Sequence, residues 1–162
     1  MWQHVSRQRV VDSRPLVVTA WCVLLLLGLV PAAGAQLAVS EVVELSFGSV
    51  VDMDGTITLG LADAIVSDAN AIHMGGNVAT GQYEITGDPF ATISITFAGS
   101  TGNGLSIYQF DTDQGTPPLS GISLDADGRL LLRIGATLTV DAAQCTPGLG
   151  QALPFTITVN YD

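Results

Sequence analysis

The chain closes on LPFTITVNYD, Leu153 to Asp162, and the reading of this stretch decides the fold. Phe155, Ile157, Val159 and Tyr161 alternate with Thr156, Thr158 and Asn160, the two-residue period of a strand that buries one face. Chain ends fray unless something holds them. A strand this regular is therefore expected to be tied into a sheet. Its four apolar side chains would each contribute on the order of 1.5–3 kcal/mol by filling a core.

The same period runs back through the chain. GRLLLRIGATLTV keeps Leu130, Leu132, Ile134, Ala136, Leu138 and Val140 in one phase. That is longer than the usual strand of about 5 or 6 residues, so Gly135 is expected to mark a bulge or a bend between sheets. TISITF (92–97) and GQYEITG (81–87) alternate in the same way, while LSIYQF (105–110) is apolar on both faces, as in a covered strand. VELSFGSVV (43–51) puts Val43, Leu45, Phe47 and Val51 on one face; GTITLGL (55–61) follows, with Asp54-Gly55 between them as a hairpin signal. Segments rich in Gly, Pro, Asp and Asn separate these runs, among them AGSTGNG, DTDQGTPPLSG and DADG. Many short alternating strands at this spacing predict an all-β antiparallel sandwich of about seven to nine strands. One stretch dissents: Leu61, Ile65, Ala69 and Ile72 in LADAIVSDANAI fit the spacing of a short helix.

The first 35 residues read as something else. Arg7, Arg9 and Arg14 precede the uncharged run LVVTAWCVLLLLGLV, Leu16 to Val30, and Pro31 and the small residues Ala33 to Ala35 follow. This is the layout of a cleavable signal peptide, with cleavage after Ala35. The apolar run is shorter than the ~20 residues a membrane helix needs, although an uncleaved anchor is the alternative, since no charge falls between Leu16 and Ser40. The expected organisation is a leader over 1–35 and one β-domain over 36–162. That places the protein in the periplasm, on the cell surface or outside the cell, with no stable membrane span after cleavage.

Processing makes the charge lopsided. There is no lysine, and only Arg129 and Arg133 remain against fourteen acidic residues, a formal charge of −12. Nucleic acid and anionic membrane surfaces are excluded as partners, because both are bound through basic residues that displace counterions. Cys22 lies in the leader, so Cys145 is left alone and cannot close an internal disulfide; a buried, inert thiol is the expected state.

Four stretches together carry a resemblance: LSFGSVV followed by GTITL (45–59), YEITGDPFATISITF (83–97), IGATLTVDAAQ (134–144) and PFTITVNYD (154–162). In order and spacing they resemble the bacterial domain-of-unknown-function family 4402, from Val43 to Asp162. The resemblance implies an exported immunoglobulin-like sandwich similar to pilin and spore-coat-U-like subunits. Cys145-Thr146-Pro147-Gly148-Leu149-Gly150 departs from the Gly-Tyr-Gly type of approach to the last strand. In pilin-like subunits the last strand borders a groove that takes a strand from a periplasmic chaperone, then from an identical or related subunit. Phe155, Ile157, Val159 and Tyr161 would then form the assembly strand. The candidate donor arm, QLAVSEVVEL, holds Leu37, Val39, Val43 and Leu45 in phase, with Glu41 interrupting. The alternative is a self-complete sandwich whose last strand simply plugs the core.

Catalytic chemistry has little to work with. His73 is the one histidine after processing, and AGSTG carries Ala98 where a nucleophile elbow needs glycine. The expectation is a non-enzyme with no cofactor. Paired carboxylates at Asp52 and Asp54, Asp111 and Asp113, and Asp125 and Asp127 are candidate calcium ligands, because calcium takes six to eight oxygens. Each pair also reads as an ordinary turn. A secreted calcium- or carbohydrate-binding module is therefore the alternative function, although Trp2 and Trp21 both leave with the leader and none remains to stack on a sugar.

Overall fold

A computed structural model describes residues 34–70, 72–146 and 152–162. Residues 1–33, which hold all but the last two residues of the expected leader, Ala71 and the segment 147–151 lie outside the described residues. From Gly34 onward the chain is one compact unit. Its strands are β1 (Ala38–Val43), β2 (Ser46–Phe47), β3 (Gly55–Leu59), β4 (Ile65–Ala69), β5 (Val78–Ala79), β6 (Gly81–Thr86), β7 (Thr92–Ala98), β8 (Ser100–Gly102), β9 (Leu105–Thr112), β10 (Leu119–Ser123), β11 (Arg129–Val140) and β12 (Thr156–Tyr161). One 3-10 turn, Ala142–Gln144, follows β11. All strand pairs are antiparallel, and the fold is the expected all-β sandwich.

The larger sheet is organised by β11. Its first half pairs with β6, from Arg129 opposite Thr86 to Ile134 opposite Gly81. Its second half pairs with β3, from Ala136 opposite Leu59 to Val140 opposite Gly55, and β9 lies along the other side. β1 extends this sheet beyond β6, and β4 extends it beyond β3. Directly opposed residues share a face, so rows such as Ile57–Leu138–Ile107 and Ile85–Leu130 point inward together. The alternation in β11 is obeyed almost completely: Leu132, Ile134, Ala136, Leu138 and Val140 are all buried.

The second sheet has three strands, in the order β10-β7-β12. Ile95 of β7 sits between Leu119 and Val159, and Ile93 lies opposite both Ile122 and Tyr161. This sheet packs on β6 and the first half of β11 through Ile85, Ile93, Ile95, Leu119, Leu124, Leu132 and Ile134. Over the second half of β11 no strand of that layer lies among the described residues. The cover there is the short β2–β5 pair and the irregular chain after it: Phe47, Val50 and Val51 pack with Ile72 on Ile57 and Val140. Ser49 and Val51 tie this cover down: their N–H groups donate to the Gly75 and Ile72 carbonyls, and the Ser49 carbonyl accepts from the Met74 N–H.

Several expectations need correction. The stretch 61–72 is not helical. It turns back on β3 as β4, with Asp63 (φ 52°) and Asn70 (φ 71°) in the left-handed region at its two ends. The backbone N–H of Asp63 donates to Thr80 Oγ1 at 3.0 Å and its Oδ1 accepts from the Thr80 N–H at 2.8 Å, and those bonds compete successfully with helix formation. Asp54-Gly55 does not make a hairpin between the runs that flank it, because β3 pairs with β4 and β11 instead. Residues 43–51 form no continuous strand. β1 ends at Val43 after a register shift between Glu41 and Val43, which turns Val43 to the outer face.

Gly135 does stand at an irregularity, but the extra residue lies in its partner. Between Gly135 and Thr137 the pairing on β9 moves from Asp111 to Tyr108, and Gln109 takes φ 50° to absorb it. Glycine is needed at 135 for a different reason: a Cβ there would collide with the Leu59 carbonyl oxygen, where β11 passes from β6 to β3.

Candidate functional site

β12 is an edge strand. It is hydrogen-bonded along one side to β7, and among the described residues no strand pairs with its other side. This explains its burial. Phe155, Ile157 and Val159 pack against the core cluster but remain half-buried, and Tyr161 is 40% exposed. A strand covered along only one flank cannot close over its own side chains. The rings of Phe155 and Tyr83 meet edge to face with centroids 5.9 Å apart, and Phe155 also touches Phe110 at 5.1 Å. The residue that leads into β12 therefore lies over β6 and β9.

β1 is the corresponding edge of the larger sheet. Val39 lies opposite Ile85 and Glu41 opposite Tyr83, so both point toward the interior at its open margin. The Glu41 that interrupts the apolar phase is accommodated there because its Oε1 accepts from the Tyr83 hydroxyl at 3.1 Å. Burial and the Glu41 carboxylate raise the pKa of that phenol. All of β1 except Val43 is exposed. It is held mainly by backbone bonds.

Beside the residues that lead into β12 (Ala152 to Phe155), the end of β1 at Glu41 and the second half of β11 runs a groove of about 880 Å³. Its apolar lining includes Leu45, Phe47, Leu105, Leu138, Val140 and Phe155, with Glu41, Glu44 and Asp52 among the polar contributors. It occupies the place where the three-stranded layer stops. Sequence periodicity could not reveal it, since Leu105, Leu138 and Val140 follow the same inward phase whether the layer above them is a regular strand or irregular chain.

The candidate calcium ligands fall in three separate places. Asp125 Oδ1 accepts from the N–H groups of Asp127 at 2.9 Å and Arg129 at 2.7 Å, closing the turn into β11. Asp113 Oδ1 accepts from the Arg133 N–H at 3.0 Å. Asp54 Oδ1 accepts from the Ala142 N–H at 2.8 Å. These three carboxylates serve backbone donors. Asp111 lies on β9 opposite Gly135, and Asp127 lies in the Asp125 turn. Among the described residues no three His, Cys, Asp or Glu side chains are grouped to hold a metal ion.

Asp52 stands beside Cys145, whose thiol is half-buried rather than interior and lines the groove. Burial, followed by the Asp52 carboxylate, pushes the Cys145 pKa up, which works against thiolate chemistry. His73 pairs through its backbone with Val50, and its N–H donates to Asp68 Oδ2 at 3.2 Å. It packs beneath the Gly48 turn. No helix among the described residues is long and apolar enough to cross a membrane.

Compared with known families, the chain matches the one described as Domain of unknown function (DUF4402) over residues 37–161. No curated protein and no solved structure matches it.

Proposed function

We propose, from the premise that this chain belongs to the DUF4402 family, that it is an exported, non-enzymatic envelope subunit of pilin-like character that accepts a strand from another polypeptide. The observation that carries the reading is the unpaired edge of β12 among the described residues, with an apolar groove beside the residues that lead into that strand. An unpaired strand edge offers a row of backbone donors and acceptors to an incoming strand. Alternate side chains of that strand find pockets in the groove below, which is recognition by β-addition. The leader-like N-terminus supports export, and the strong negative charge suits a subunit that must stay soluble before it assembles.

Folded protein starting at Gln36 tests this directly. Sedimentation velocity and a thermal melt are measured with and without an added peptide of alternating apolar residues. A strand acceptor forms higher-order species, or gains several degrees in Tm with the peptide, through mass action. A monomer at all concentrations whose melting is unmoved by any such peptide ends the proposal.

A further inference from the structure

The charge around the groove says what kind of strand it takes. Glu41, Glu44 and Asp52 contribute to its lining, and neither arginine of the described residues does. Arg129 is committed to Glu84 at 2.9 Å and Arg133 faces Asp63 at 3.5 Å, both outside the groove. Among the described residues no cationic side chain lines the groove beside these carboxylates. An occupant has to bring one.

The chain's own N-terminal segment does not meet that need. Gln36 to Leu45 carries Glu41 and Glu44 and no cationic side chain. Seating this segment from a second copy in the groove would bring carboxylates against carboxylates, between two domains that each carry a large negative charge. Glu41 would also leave the Tyr83 hydroxyl it now accepts from. Like charges brought together across an interface act as a specificity filter against the wrong partner.

We infer that the groove is built for an extended strand of a different protein, one whose apolar residues alternate with lysine or arginine. The apolar side chains meet the half-buried Leu45, Phe47, Leu105 and Phe155, and the cations meet Glu41, Glu44 and Asp52 at the rim. This rests on the strand-accepting reading and narrows it to a basic, heterologous partner.

The test uses three synthetic peptides of about ten residues, roughly the upper length of a strand, with the same alternating Val and Ile. One carries Lys between them, one Ser and one Glu. Affinities for the folded domain are read by fluorescence anisotropy at about 20 mM and about 500 mM salt, where screening differs severalfold in length. The Lys peptide is expected to bind at least tenfold more tightly than the Glu peptide at low salt, with the gap narrowing at high salt. The variant E41Q/E44Q should lose most of that preference. D111N/D127N, which removes the same charge at residues that do not line the groove, should keep it; equal losses in the two variants would reduce the effect to net charge and overturn the assignment. Equal binding of all three peptides would overturn the basic partner while leaving strand acceptance standing. Binding of none would remove both.

Discussion

The Tyr161 hydroxyl donates to the carbonyl oxygen of Ala35 at 2.8 Å and accepts from the Asp88 N–H at 2.8 Å. The penultimate residue thus fastens the beginning of the domain to its end. Asp88 closes the arrangement by accepting from the Ala35 N–H through Oδ1. Tyr161 does this while 40% exposed, so its part in anchoring β12 is carried by the hydroxyl as much as by the ring. The terminal strand resists fraying because it is bonded to β7 along its length and clamped at its last turn of alternation.

Ala35 is also the residue after which the leader is expected to be cut, and this makes the clamp sensitive to processing. A chain starting at Gly34 keeps the Ala35 acceptor; one starting at Gln36 does not. Tyr161→Phe should destabilise the first by about 1–2 kcal/mol, the cost of lost hydrogen bonds with partners left behind. It should destabilise the second by less, since only the bond from Asp88 remains to be lost. Urea denaturation of the four proteins forms a double-mutant cycle. Equal effects in both backgrounds would show that the Ala35 bond contributes nothing.

Gly135→Ala should be costly although the residue is small and the strand continues through it. A methyl group at this position meets the Leu59 carbonyl oxygen and the backbone of Gly60, neither of which can rotate away. Overpacking against fixed backbone typically costs 1–3 kcal/mol, so a loss of about 2 kcal/mol in chemical denaturation is expected. Gly121→Ala on β10 is the informative comparison. Its Cβ would meet nothing, but its φ of 68° is strained for alanine. Its loss should be nearer 1 kcal/mol.

Those two glycines also show what the sequence could and could not disclose. The inward phase of β11, β7 and β6 was legible from Leu132, Ile95 and Ile85, because burial on one face of a strand leaves a period of two. Partnership was not legible. Nothing in GTITL says that it pairs with β4 and β11 rather than with the residues before Asp54, since local turn chemistry competes with long-range packing and can lose. The helical spacing in 61–72 misled for the same reason: Leu61, Ile65 and Ile72 are apolar, yet the bonds between Asp63 and Thr80 fix a turn. The groove was invisible, as it depends on where the second layer ends. The carboxylates at Asp113 and Asp125 could be placed in turns by composition, whereas their backbone partners, Arg133 and Arg129, came only from the fold.

Asp63 gives the domain a predictable acid limb. The hydrogen bond from the Thr80 N–H, with the Thr80 side chain and Arg133 nearby, lowers its pKa below the ordinary value. A carboxyl depressed in the folded state adds stability above its unfolded pKa of about 3.9 and loses it as pH falls through the lower folded value. Asp63→Asn should therefore flatten the fall in stability below about pH 4. The substitution keeps an acceptor for Thr80 and tolerates the left-handed backbone. Urea midpoints at about pH 3 and about pH 6 would check this, and an unchanged pH slope in the variant would remove Asp63 from the account.

Calcium should leave the protein unmoved. Binding only to the folded state raises Tm by mass action, and tight sites assemble six to eight oxygens around the ion. Here Asp113, Asp125 and Asp54 already accept from backbone N–H groups, at distances of 2.7–3.0 Å. Recruiting those oxygens would compete with the bonds that close these turns, each worth about 0.5–1.5 kcal/mol. A melt in millimolar calcium is therefore expected to overlay the melt in chelator. The same comparison for Asp125→Ala separates the two roles of that carboxylate. As a turn closure its loss lowers Tm equally with and without calcium; as a ligand its loss would matter only when the ion is present.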